Sequence, residues 1–378
     1  VNRDIDPRRI EVMKHLAMKA LIAALVGVLP VSALAYEIND KLSIGGVLAG
    51  AYQYQFVDND ENKGRGAVPF QVEMSFTPDE KNEFFAKFGF AAGNGLNDQT
   101  SFTLAPWAAD LEDDVKDING RNRDYLLTVW YKYTFRLSEE HTLGFTGGII
   151  DATDYLDENV YANDEYTQFM NESLVNGPHA FVPSYDIGGA LEWKISNFSV
   201  RGVVMNVGEN DEGNSYQFYG AQLGYTLSSP LGEGNYRVIV DRTSKQFLDK
   251  QGEDKEHLTG ITVSFDQQLG DIFGAWIRFG WQDDKAAVDY DAIYSGGVNI
   301  SGSLWRREND NIGLGYSYLN GGNLDIEQTQ VFEGYYRLVL NEYLALTADV
   351  QYMKDDYKEG YTPEPKGVIL GLRATAEF

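Results

Sequence analysis

The stretch Lys366-Gly-Val-Ile-Leu-Gly-Leu-Arg-Ala-Thr-Ala-Glu-Phe378 decides the fold class. Val368, Leu370, Leu372, Ala374, Ala376 and Phe378 fall on one side of an extended chain, and Ile369, Gly371, Arg373, Thr375 and Glu377 on the other. Successive side chains of a strand point to opposite faces, so one face is apolar and the other largely polar. The same alternation recurs upstream. In 125–135, Tyr125, Leu127, Val129, Tyr131, Tyr133 and Phe135 oppose Leu126, Thr128, Trp130 and Lys132. In 84–90, Phe84, Ala86, Phe88 and Phe90 oppose Phe85, Lys87 and Gly89.

Sixteen segments of this kind follow one another: 41–56, 68–77, 82–91, 123–135, 141–150, 185–194, 197–206, 215–227, 234–243, 257–268, 271–281, 291–303, 310–319, 327–339, 342–353 and 366–378. Short connections, such as Pro78-Asp79-Glu80, Leu137-Ser138-Glu139, Ser196 and Asn341, alternate with longer ones, such as 92–122 and 152–184. Segments of about ten residues with short turns on one side and long loops on the other are the pattern of a transmembrane β-barrel. The expected fold is all-β: an antiparallel barrel of sixteen strands, an even number, with both termini in the periplasm. A soluble sandwich would alternate too. It would not explain why aromatics reach 13% and crowd segment ends, as at Tyr52, Tyr54 and Phe56 or Tyr335 and Tyr336. Aromatic girdles at the two membrane interfaces do explain it.

The N-terminus supports export. Met13, Lys14 and Lys19 precede an apolar run from Ala20 through Leu29, and Ala33-Leu34-Ala35 supplies a small-x-small cleavage pattern. Residues 1–35 therefore read as a secretory signal peptide, 1–12 as a start-site artefact, and 36–378 as the mature barrel. Removal of five Lys/Arg and three Asp/Glu takes the net charge from -26 to about -28. So acidic a chain is a poor partner for nucleic acid, whose phosphates need Lys and Arg. With no Cys, disulfides, thiolate metal sites and c-type haem attachment are excluded. Localisation in a bacterial outer membrane follows. The expected partners are membrane lipid, lipopolysaccharide and, through Phe378, the barrel-insertion machinery.

Charges fall on the face away from lipid: Arg201, Arg237, Arg278, Arg337, Arg373, Lys87, Lys132, Glu73, Glu333 and Asp349. A charge facing lipid at mid-depth costs about 2–4 kcal/mol, so this face must be the lumen. Barrels of 16–18 strands are wide enough for water. The charged row reads as pore lining, although ladders pairing with Glu and Asp of neighbouring strands would look the same.

The segment Gly147 to Tyr185 reads GGIIDATDYLDENVYANDEYTQFMNESLVNGPHAFVPSY. Gly148 with Asp151, Tyr155-Leu156-Asp157, Ala162-Asn163-Asp164-Glu165, Gln168-Phe169, Asn171 and Pro183-Ser184-Tyr185 resemble the carbohydrate-selective porin family (OprB-type porins). The likeness covers about a tenth of the chain. It implies a sugar-permeable porin of sixteen strands that is not an enzyme. From its residues alone, the loop is either a constriction folded into the lumen or an outer acidic cap, solvated or bridged by divalent cations. The constriction is preferred. Asp154, Asp157, Asn159, Asp164, Glu165 and Asn171 would then accept hydrogen bonds from sugar hydroxyls, and Tyr155 and Tyr161 would stack on sugar faces. Trp107, in the second long loop, is either a stacking platform or a packing anchor, and the acidic run Asp110-Leu111-Glu112-Asp113-Asp114 reads as a solvated face.

Catalytic chemistry is thinly supported. His141, His179 and His257 sit far apart and read as lone surface residues, and no Gly-rich phosphate loop follows a strand, so the 39 Gly read as bends and turns. The alternatives to a sugar porin are a general or ion-selective porin, a barrel enzyme, and a sheath around a protein partner.

Overall fold

The computed structural model describes residues 36–58, 61–175, 177, 179–358 and 364–378. The proposed signal segment lies outside the described residues. Sixteen antiparallel strands form the wall: Leu42–Val57, Lys63–Asp79, Asn82–Ala92, Leu126–Ser138, His141–Ile150, Asp186–Ile195, Phe198–Val207, Tyr216–Ser229, Gly232–Thr243, Thr259–Leu269, Phe273–Gln282, Tyr290–Ser301, Asn311–Gly321, Ile326–Val339, Leu344–Tyr357 and Lys366–Glu377. Each pairs with the next, and the last pairs with the first from Gly367↔Val57 to Glu377↔Val47, which closes the cylinder. A further short strand, Tyr36–Asn39, pairs with the start of Leu42–Val57. Closure leaves the sixteen wall strands without a free edge, as a hydrocarbon surround demands.

Burial is inverted relative to a soluble protein. On Lys366–Glu377, Leu370 and Leu372 are 45% and 52% exposed, while Arg373, next after Leu372 and on the other face, is fully buried. Val204, Leu223 and Val350 are likewise exposed around the outside. So broad an apolar surface is not left to water and fits a bilayer. Outward aromatics gather towards the two rims. Phe84 and Tyr131 (centroids 4.8 Å apart) lie near the end with the short turns, and Trp281 and Tyr294 (6.0 Å) near the end with the long loops.

The termini and short turns share one end, called here the terminus end. The longest connections, 93–125, 151–185 and 244–258, leave from the other, the loop end, while one longer connection, 302–310, lies at the terminus end. Two departures from the sequence reading have local causes. A register shift at Lys87/Phe88 inserts Leu127 as an extra residue, so Leu127 turns inward against Val115 and Ile118 instead of sharing a face with Val129. Tyr125, at φ 64, lies before that strand rather than in it. The long loops also carry structure of their own, a hairpin Phe247–Leu248/Lys255–Glu256 and a helical turn Glu172–Val175.

Candidate functional site

The segments 93–125 and 151–185 leave adjacent parts of the wall and fold into the lumen, where they form its apolar core. Phe169 packs edge-on to Trp276 (5.7 Å) and Tyr335 (5.1 Å), with Leu174 and Ile293 in the same cluster. The wall holds these segments by their backbones. Arg373 donates to the carbonyls of Glu165 (2.7 Å) and Gln168 (2.8 Å). Arg278 donates to the carbonyl of Ala162 (2.8 Å) and pairs with Asp157. Arg201 donates to the Tyr155 carbonyl (3.0 Å) and pairs with Glu158. Glu333 accepts from the amides of Met170 (2.6 Å) and Asn171 (2.9 Å). Gln53 and Gln351 both donate to Pro106 O at 2.9 Å, and Asp355 accepts from Thr103 N at 2.8 Å. A buried irregular backbone must find partners for its polar groups, and inward wall side chains supply them. The two segments also grip each other, through Ala108 N to Met170 O (2.8 Å) and Trp107 Nε1 to Glu165 O (3.0 Å).

Two open chambers remain. One, of about 420 Å³, lies in the half towards the loop end and is lined by Asn97, Asp114, Asp157, Glu172, His179 and Arg278, among others. The second, of about 700 Å³, reaches the terminus end past Glu73, Lys87, Phe85, Asp154, Asp164 and Phe378. Ala108, Asp110, Thr153 and Ser184 line both. These four residues, two from each infolded segment, are the boundary the two chambers share, termed the neck below. Asp110 Oδ2 accepts from Gln71 Nε2 (2.7 Å) and from the Tyr185 hydroxyl (2.7 Å), and Gln71 also donates to the Tyr166 hydroxyl (3.0 Å).

A family profile described as "Carbohydrate-selective porin, OprB family" matches residues 99–378. The chain belongs to this family. An uncharacterized protein of Aquifex aeolicus is 31% identical over 302 residues, 79% of this chain and 84% of that protein. The high-pH structure of Pseudomonas putida OprB superposes with a TM-score of 0.71 at 15% identity, covering 90% of this porin and 95% of that chain. The outer membrane channel DcaP of Acinetobacter baumannii gives 0.58 at 10% identity, covering 92% and 100%. The family match makes this chain an outer-membrane porin, and the solved structures share its barrel fold.

The residues singled out by sequence divide three ways. Asp154, Asp164, Glu165 and Lys87 line the terminus-end chamber, where Lys87 pairs with Glu73 at 3.1 Å. Asp157, Arg278 and part of Trp107 line the other chamber, but Trp107 is 1% exposed and holds Glu165, so it packs and does not offer a ring face. The rest serve as fastenings. Asn159 donates to Ser264 Oγ (3.2 Å) and Asn171 to Gln351 Oε1 (3.1 Å). Tyr155 packs into an apolar cluster with Leu156 and Val203, and Tyr161 packs against the cluster around Trp276. Arg237 pairs with Asp266 (2.6 Å) and Arg337 with Glu377 (2.6 Å). Arg373, Glu333 and Asp349 lie buried beneath the infolded segments, not on open lining.

Three expectations need correction. His179 is wholly buried in the lumen, not at the surface, and contacts Thr262 Oγ1 at 3.0 Å. Burial, with Arg278 nearby, pushes its imidazole down to about 3, so it stays neutral at physiological pH. Asp110 belongs to the neck and not to a solvated acidic face, because its segment turns inward. Several wall glycines, finally, are neither bends nor turns. They make room, since a Cβ at Gly280 would overlap the His179 ring and one at Gly315 would crowd Phe169. As for divalent cations, no group of three or more His, Asp or Glu is arranged to hold a metal among the described residues.

Burial first, then repulsion from Asp114 and Asp151, pushes the Asp110 carboxyl up to about 7 against the Tyr185 hydrogen bond. Burial and then Asp151 push Asp154 up to about 7 against the attraction of Lys87. Both carboxyls therefore titrate near neutrality. The sequence reading missed the neck itself. Thr153, Ser184 and Tyr185 stood within the family-like run, yet nothing local marked Ala108 or Gln71.

Proposed function

We propose that this porin conducts sugars by passive diffusion across the outer membrane. The neck carries the reading. It combines one carboxylate acceptor, Asp110, with hydroxyl and amide groups from Thr153, Ser184, Tyr185 and Gln71, all able to exchange hydrogen bonds with a polyol. Below it, Phe85 lines the terminus-end chamber and stacks on Trp130 (5.0 Å, 21°), an apolar plate on which a sugar face could slide. The ring faces named in the sequence reading, Tyr155, Tyr161 and Trp107, are taken up by packing, so Phe85 replaces them in this proposal. The neck also fits the family description.

Residues 1–35 would be the export signal, and the terminus end would face the periplasm, with Phe378 offered to the insertion machinery. The outward apolar wall would face lipid and, at the loop end, lipopolysaccharide. Liposome swelling tests the transport reading. Sugars should enter faster than amino acids and salts of the same size. Equal rates for all solutes of one size would leave a general porin.

A further inference from the structure

We infer that Asp110 is the charge filter of this porin, and that the pore admits cations and neutral or cationic sugars in preference to anions. The inference starts from where the cations are. The inward row of arginines looks in sequence like a basic lining. In the folded molecule Arg201, Arg278 and Arg373 spend their donors on loop carbonyls and loop carboxylates, and Arg237 on Asp266. Cationic side chains on the two chambers come down to Lys87 and Arg278, each already ion-paired, against eleven Asp and Glu.

Four of those carboxylates are answered locally by a cation. Glu73 faces Lys87, Asp157 faces Arg278, Glu158 faces Arg201, and Glu377 faces Arg337. Asp110 belongs to the other seven, and of all eleven it alone borders both chambers. Its hydrogen bonds come from Gln71 and Tyr185, neutral donors that fix the carboxylate in place without cancelling its charge. It stands in the boundary that both chambers share, where a solute moving from one to the other would meet it. Ala108, Thr153 and Ser184, which share the neck, bring no compensating charge. A fixed charge at a water-filled constriction with low-dielectric walls acts more strongly than one in a wide mouth. Tyr185 and Gln71 act as positioning residues in this account.

The test is the reversal potential of the purified porin in planar bilayers under a KCl gradient at pH 8. Wild type should be cation-selective. Asp110→Asn should lower the ratio of K⁺ to Cl⁻ permeability severalfold. Glu139→Gln, in an exposed short turn outside both chambers, should leave it unchanged. Thr153→Lys, which adds a cation to the same boundary, should turn the preference towards Cl⁻ and keeps the test open if Asp110→Asn does not assemble. An anion-selective wild type, or an Asp110→Asn pore with unaltered selectivity, overturns the inference. The sugar arm rests on the proposed function and uses liposome swelling. Glucosamine should enter faster than glucuronate, and Asp110→Asn should narrow the gap. If the KCl result holds and no sugar enters, the sugar reading fails and the filter stands.

Discussion

Replacing Glu333 by Leu tests whether the constriction is held from the wall. Glu333 is buried and accepts from two backbone amides, Met170 N at 2.6 Å and Asn171 N at 2.9 Å. Leucine keeps the bulk, excludes water and offers no acceptor. Each buried amide left without a partner costs about 1–3 kcal/mol, so docking of this stretch weakens by about 2–6 kcal/mol. At about 1.4 kcal/mol per tenfold, the undocked population rises by roughly 30-fold at the low end. Arg373 and Arg278 still hold Glu165, Gln168 and Ala162, so the loop should fray at Met170 and Asn171 and not leave the lumen. Single-channel recording should show a larger mean conductance with added flicker, and chymotrypsin should cut near Phe169. The strand ladder is untouched, so heat-modifiable mobility in detergent should match wild type. Conductance, noise and cleavage all identical to wild type would show that the loop does not depend on this anchor.

Raising the pH from 6 to 8 should strengthen cation preference. Asp110 and Asp154, both near 7, are largely neutral below that value and charged above it, with Asp114 and Asp151 reinforcing the field and Lys87 opposing it. A flat reversal potential over that range contradicts the assignment. Deleting 154–172 should abolish discrimination between solutes of equal size in liposome swelling, whereas unchanged permeation would place the constriction elsewhere. Gly280→Val should collide with His179 and displace the buried turn, read as faster chymotryptic cleavage at Phe181 with barrel mobility retained. Removing Phe378 deletes its reciprocal backbone bonds with Gly46 (2.9 and 3.0 Å) and its ring contact with Phe70 (6.2 Å). The yield of assembled barrel in membranes should fall, and the surviving channels should conduct normally.

The wall was legible in sequence because a membrane barrel writes its two environments onto alternate residues. Segment 141–150 appears in the structure with those bounds, and Leu370 and Leu372 face out beside a buried Arg373 as the alternation required. Where the strand count goes out of phase by one residue, at Leu127, alternation misassigned the face, since a bulge leaves no mark on polarity. The lumen was far less legible. Its contacts are long-range, as in Thr103 with Asp355 or Glu165 with Arg373. In both of these, one half of the contact is a backbone amide or carbonyl, which nearly every residue possesses. An inward arginine therefore reads the same whether it meets water or a carbonyl. Charge drew attention to Arg373 and Glu333, while the neutral fastenings Gln53, Gln71 and Gln351 passed unnoticed.

The anchors that seat the infolded segments are scattered around the circumference, from Gln53 on the first wall strand through Arg201 and Arg278 to Arg373 on the last. No partial arc of the cylinder contains the full set. A half-assembled barrel would thus be an unguarded hole, and selectivity would arrive only with the final strand. Quality control of the channel and completion of its seam become one event, because Lys366–Glu377 both zips the wall shut and latches the gatekeeper.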